Sequence, residues 1–228
     1  MREDVMREVS PRQKYLNSLS VIPQQIEPFL QKARYSSDQF SKTAISLSSA
    51  EALFVANFLR LHRVKTMVEI GTLTGSSALW WAWALGEKGK LWTFELDPQH
   101  AAAAREVLSE YQISHGGQIT VVEGDARVQL EVWSKSSEAC VLDAVFIDGN
   151  KAAYRDYFEW ALKNTKSGSV IILDNVFLWG GVYDAPESGA SEKQIRVMKD
   201  LNHHVMTSKD FTSFFVSTDE GLLIAVRN

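Results

Sequence analysis

Thr66-Met-Val-Glu-Ile-Gly-Thr-Leu-Thr-Gly-Ser-Ser77 decides how this chain folds. Thr66–Ile70 is short, apolar and β-branched at its centre, and it stops at Gly71, so it reads as a buried strand. A second glycine, Gly75, precedes a helical run through Ala78–Leu85. Downstream the alternation repeats. Leu91–Leu96 is a second strand, and Asp97-Pro98 then supplies an N-cap and a proline at the first helical position. The helix they open turns Ala104, Val107, Leu108 and Tyr111 inward. Ile119–Val122, Ala144–Ile147 and Val170–Leu173 are the third to fifth strands, and Tyr154, Tyr157, Phe158 and Ala161 mark one face of a helix between the last two. Gly180–Ser191 reads as a loop, Glu192–Leu201 as a helix, and Ser213–Val216 with Leu222–Val226 as a closing pair of strands. Upstream, Ser48-Ser-Ala-Glu51 has capping-box spacing, with Ala50, Leu53, Phe54, Phe58 and Leu61 on one helical face. Before it stand short helices at Tyr15–Leu19 and Pro23–Arg34, then a polar stretch, Tyr35–Lys42, placed to pack on a neighbour or to cover a site. The expected fold is α/β: a doubly wound, mostly parallel, seven-stranded sheet in one domain, residues 1–228, with a helical extension over residues 1–45.

Bulk properties narrow the function. The chain has 228 residues, 45% of them hydrophobic, enough for one sizeable core. Its net charge is −4 and no lysine or arginine cluster stands out, which argues against nucleic acid as a partner. The lone Cys140 cannot form an internal disulfide, fits a reducing compartment, and reads as a small residue near a buried strand. Met1–Arg12 lacks the apolar stretch of a signal peptide, and no apolar run is long enough to span a membrane. The expectation is a soluble, cytoplasmic protein.

In an open parallel sheet ligands bind beyond the carboxyl ends of the strands. Every strand of this one except the closing pair ends in or beside an acid: Glu69, Glu95, Asp125, Asp148 and Asp174. Glycine at 71 and 75 lets backbone approach a ligand closely, and the helix behind it offers free N–H groups. The spacing is G-x-x-x-G, unlike the dinucleotide fingerprint G-x-G-x-x-G, so a pyrophosphate contact is disfavoured. Glu95 stands where an acid binds ribose hydroxyls. Asp125, in Gly124-Asp-Ala126, either caps the next helix or sets a carboxylate near an adenine amino group, and both can hold.

Phe146-Ile-Asp148-Gly-Asn-Lys151 and Ile172-Leu-Asp174-Asn175 close strands four and five. Asp148, Asp174 and Asn175 are hard oxygen ligands, suited to magnesium, manganese or calcium. Zinc is disfavoured, since histidine and cysteine lack ligand spacing; adjacent His203 and His204 diverge on a helix and read as surface residues. Lys151 opens a helix, where the dipole prefers an acid. It is therefore a candidate base, which a nearby metal ion favours, with a surface salt bridge as the alternative. The chain has no G-x-S-x-G elbow, no upstream phosphate-loop frame at Gly89-Lys90 and no base-methyltransferase Asn-Pro-Pro-Tyr type tetrapeptide. Trp80, Trp81 and Trp83 read as core and interface, and Trp179 as a substrate contact.

Glu69–Ser77, Glu95, Gly124-Asp-Ala126, Phe146–Lys151 and Val170–Asn175 together resemble the cation-dependent O-methyltransferases, above all the bacterial branch of the caffeoyl-CoA type, related to the catechol type. The resemblance runs from about Tyr15 to the C-terminus. It implies S-adenosylmethionine as cofactor, bound through Glu69, Gly71, Leu73, Gly75 and Ser77 of the first turn, and through Glu95, Asp125, Ala126 and Asp148 beyond it. It implies a metal on Asp148, Asp174 and Asn175, with Lys151 as base beside Asp148, and a homodimer. Three departures stand out. Asp148-Gly-Asn-Lys151 replaces Asp-Ala-Asp-Lys, Asp174–Gly181 is one residue longer than the usual form, and Ser208-Lys-Asp210 replaces an Asp-Pro-Arg pattern. The implied reaction is in-line displacement at the sulfonium methyl. A phenol ionises near pKa ~10, so metal coordination of the oxyanion helps, and a vicinal diol could chelate. A small catechol-like or phenylpropanoid aromatic is therefore the expected acceptor, with catechol-like diols favoured over isolated phenols. The alternatives are methyl transfer to nitrogen or a carboxylate, or a non-catalytic cofactor-binding scaffold.

Overall fold

The computed structural model describes residues 10–42, 47–183 and 189–228. Seven strands form one sheet: β1 (Thr66–Ile70), β2 (Lys90–Glu95), β3 (Gln118–Glu123), β4 (Leu142–Ile147), β5 (Thr165–Leu173), β6 (Phe211–Val216) and β7 (Leu222–Arg227). Their order is β3-β2-β1-β4-β5-β7-β6. The first five run parallel, and β7 pairs antiparallel with both β5 and β6. Strand order reverses between β1 and β4, so a crevice opens at their carboxyl ends.

Alternating residues of the central strands feed two separate cores. Met67, Leu91, Ala144, Phe146, Val170 and Ile172 pack under α2 (Glu27–Gln39), α3 (Ser49–Leu61), α4 (Ser76–Leu85) and α5 (Pro98–His115). Val68, Trp92, Val145, Ile147, Ile171 and Leu173 pack under α6 (Ala126–Trp133), α7 (Tyr154–Asn164) and α8 (Glu192–Thr207). Period-two side-chain alternation thus turns apolar strands into a three-layer sandwich. The tryptophan-rich α4 is buried nearly all round; Trp81 is fully buried, 4.9 Å from the Phe146 ring, while Arg60 covers Trp83.

The strands and the principal helices fall where the sequence puts them, with these corrections. The helix α1 spans Pro11–Leu19, and α2 starts later and runs further than Pro23–Arg34, taking in most of the stretch expected to be polar coil. Ser37, inside that stretch, is fully buried and hydrogen-bonded to Thr74, which holds the last turn in helix. The capping box at Ser48 and Glu51 forms, but α3 buries Ala52, Val55, Ala56 and Leu59, leaving Phe54 and Leu61 exposed. The face of α3 that meets α4 is thus the one carrying Ala52, Val55, Ala56 and Leu59, with Phe54 and Leu61 on the opposite side. A kinked 3-10 turn, Leu178–Tyr183, runs into the start of the expected Gly180–Ser191 loop, and residues 184–188 lie outside those described. Cys140 lies two residues before the buried strand β4, as expected, and is itself exposed. Ser208 and Asp210 form an exposed turn leading into β6. No helix among the described residues is long and apolar enough to cross a membrane.

Candidate active site

The first turn is built by close backbone approach. Gly71 has φ +103°, and a Cβ there would lie 2.3 Å from the Asp148 carbonyl oxygen, so only glycine lets the ends of β1 and β4 meet. Gly75 is left-handed (φ 91°) and caps α4 without a side-chain hydrogen bond. The first N–H groups of α4 are therefore left to another acceptor. Beside them the Ser76 hydroxyl is buried with no partner among the described residues. A free helix N-terminus with an orphaned hydroxyl fits an anionic group such as an amino-acid carboxylate. Leu73, with φ 49°, is in a conformation that non-glycine residues adopt at a cost.

Glu95 holds that strained turn. Its Oε2 accepts from the Leu73 and Thr72 amides at 2.7 and 3.2 Å, and its Oε1 from the Asp97 amide at 2.9 Å, with His100 Nδ1 3.7 Å away. The carboxylate is thus oriented at the mouth of the crevice, with its side chain still 11% exposed. Glu69 is placed differently. It is fully buried behind the turn, accepting from Trp81 Nε1 at 2.6 Å and Thr93 Oγ1 at 2.5 Å, and it also bonds Ser77. Burial pushes its carboxyl up to about 7. Glu69 and Ser77 brace the turn from within. Asp125 caps α6 through the Arg127 amide and pairs with the Arg127 guanidinium at 2.6 Å, which together hold its carboxyl below the usual range. Ala126 follows as the first, buried residue of α6.

At the ends of β4 and β5 the structure gathers the catalytic candidates. Lys151 opens a 3-10 turn (Lys151–Ala153) and is 8% exposed, so the surface-salt-bridge reading does not hold. Its ammonium donates to Asp148 Oδ1 at 2.6 Å, to the Tyr154 hydroxyl at 2.7 Å and to Asn175 Oδ1. Asp174, 3% exposed, accepts from the Asn175 amide at 2.6 Å. Burial first, and the Asp148 charge second, hold its carboxyl well above the ordinary range. No group of three or more His, Cys, Asp or Glu side chains among the described residues forms a metal cage. The set here is two carboxylates and an amide. Because one ammonium reaches both Asp148 and Asn175, their oxygens converge on a single cation position. Asp174 is the kind of crowded, desolvated acid that a further positive charge would relieve. The donors therefore fit a hard divalent ion.

Residues beyond the sequence-derived set join the site. Tyr154, read only as a core position, is fully buried, and its hydroxyl lies 3.1 Å from the Ile147 carbonyl and 3.0 Å from the Asp174 carbonyl. Glu51, read as a capping-box residue, is buried near enough to Asp174 to raise it. Neither carries a signal in sequence beyond periodicity or spacing. Trp179 is strained (φ 53°, ψ 35°) and partly buried in the turn after Asn175.

The reversal of strand order beside a glycine turn, with acids at successive strand ends, defines a doubly wound α/β fold with a ligand crevice at its switch point. The chain belongs to the O-methyltransferase family, whose model matches residues 20–228. A catechol O-methyltransferase from Niastella koreensis is 36% identical over 141 residues, covering 62% of each chain, so the match spans less than two thirds of that relative. A second catechol O-methyltransferase, from Mycobacterium tuberculosis, is 29% identical over 178 residues, 78% of each chain. Among solved structures, the O-methyltransferase TomG from Streptomyces achromogenes, involved in tomaymycin synthesis and determined in complex with SAM, superposes with a TM-score of 0.80. It is 27% identical, with 95% of this chain and 96% of that one covered.

Proposed function

We propose that the chain transfers a methyl group from S-adenosylmethionine to a hydroxyl oxygen of a small catechol-like aromatic, with a divalent metal at Asp148, Asp174 and Asn175. The observation that carries this reading is the convergence of Lys151, Asp148 and Asn175 on one point, across Gly71 from an uncapped α4. The relatives named for catechol and the SAM-bound neighbour support it. Glu95 would take the ribose hydroxyls, and the α4 N-terminus with Ser76 the amino-acid carboxylate. A bound divalent metal would supply positive charge that stabilises an acceptor oxyanion. Lys151, acting as the neutral amine, would take the acceptor's hydroxyl proton on its Nζ lone pair and become the ammonium that donates to Asp148, Tyr154 and Asn175. The buried wall formed by Tyr154 and Asp174 excludes water from this corner. A homodimer belongs to the same reading, and sedimentation measures it.

The test combines binding with turnover. Calorimetry should detect S-adenosylmethionine, and a panel of catechols should be methylated only when magnesium, manganese or calcium is present. Asp174→Ala should stay folded and lose that metal-dependent turnover. Full turnover in excess chelator, by protein free of metal, would defeat the metal assignment; tight NAD binding instead would defeat the cofactor.

A further inference from the structure

The Tyr154 hydroxyl occupies an unusual position. It accepts from Lys151 Nζ at 2.7 Å, taking one of the three protons an ammonium can donate; the other two go to Asp148 and Asn175. Its own proton points at the carbonyls of Ile147 and Asp174, 3.1 and 3.0 Å away. Those carbonyls belong to the peptide groups that lead directly into Asp148 and Asn175. One buried hydroxyl therefore touches the lysine and both strand ends that present the candidate metal oxygens. The ring lies beneath the ammonium, 4.8 Å from Nζ to the centroid, so Lys151 cannot drop toward the core.

We infer that Tyr154 is a positioning residue: it fixes the Lys151 amine at the reacting oxygen and clamps β4 to β5 at the spacing the metal requires. This rests on the proposed methyl-transfer reading. Without the hydroxyl, Lys151 keeps only Asp148 and Asn175 as acceptors, so it competes harder with a metal for the same oxygens. The Asp174 carbonyl also loses a donor, and the two strand ends relax. Both consequences weaken metal binding, and the first misplaces the base. Neither touches Glu95 or the α4 N-terminus, so cofactor binding should be spared.

Tyr154→Phe removes one oxygen and keeps the ring. In the full-length enzyme it should lower kcat between about tenfold and a hundredfold, the range expected when a reacting group is misplaced by up to an ångström. The KM for the acceptor and the calorimetric affinity for S-adenosylmethionine should change little, while magnesium or manganese should bind several-fold more weakly in the absence of acceptor. In a Lys151→Met background, with metal held saturating, the same change should have almost no further effect on residual kcat, since its influence on the rate beyond metal occupancy runs through the lysine. A role in stability alone would lower Tm and leave kcat, metal affinity and the Lys151 coupling unchanged, overturning the inference. An active, metal-dependent wild type with an unaffected Tyr154→Phe variant refutes this inference alone. A wild type that takes neither metal nor methyl overturns the functional reading, and the inference with it.

Discussion

The carboxyl of Glu69 lies out of contact with water behind the turn it braces, and burial pushes it from 4.5 up to about 7. A proton is therefore bound more tightly by the folded chain than by the unfolded one. This contribution to stability is fully present below pH 4.5 and is lost as pH rises through about 7. Glu69→Gln keeps the shape and cannot ionise. Between pH 5 and 8 the variant should gain on wild type by up to about 3 kcal/mol, read from paired urea denaturation curves. Parallel stability–pH profiles would show that Glu69 does not titrate in this window. The sequence marks Glu69 as an acid at a strand end, and so as a ligand-facing residue; only the fold reveals Trp81 and Thr93 enclosing it. Asp148, Lys151 and Asn175 were legible because side chains at adjacent strand ends must converge in a parallel sheet. Tyr154 was not, since its periodicity is that of a core residue and its hydroxyl's partners are backbone carbonyls brought together by tertiary structure.

At the scale of the element, α2 was only partly foreseen, and its contacts reach the glycine turn. Its last turns contain Ser37 and Asp38, residues that favour caps and turns over helix interiors, which is why sequence alone ends it at Arg34. Tertiary contacts override that preference. Ser37 and Thr74 hydroxyls meet at 2.7 Å, and Thr74 donates to the Ala33 carbonyl at 2.8 Å, joining α2 to the glycine turn. Phe40 then stacks edge-on against His100, with centroids 4.8 Å apart, and His100 faces Glu95. An aromatic contact thus steadies the residue beside the ribose-binding candidate. Phe40→Ala should weaken S-adenosylmethionine binding about two- to tenfold by calorimetry, and leave kcat near wild type at saturating cofactor. Unchanged affinity would make α2 a cover for the hydrophobic core and nothing more.

Over the whole molecule, the alternation of strand and helix foretold the parallel strands, and the acids at their ends foretold where the crevice opens. The antiparallel insertion of β7 between β5 and β6 was not readable, because two apolar runs near a C-terminus fit several positions at a sheet edge. That insertion matters for cooperativity. Leu222 and Ile224 enter one core while Leu223 and Ala225 enter the other, so the last strand ties both helical layers together. The proposed cofactor site likewise draws on β1, β2, α2 and α4 on one side of the switch point, and on β4 with the 3-10 turn on the other. Unfolding should consequently be one transition, and ligand binding should move all of it. At a concentration about a hundred times its Kd, S-adenosylmethionine adds about 2.7 kcal/mol, which raises Tm by about 5–11 °C in a chain of this size. Differential scanning calorimetry should show a single peak displaced as a whole, with chelator alone causing a much smaller change than removal of cofactor. Two peaks, of which the cofactor shifts only one, would mean that the layers unfold separately and that β7 does not couple them.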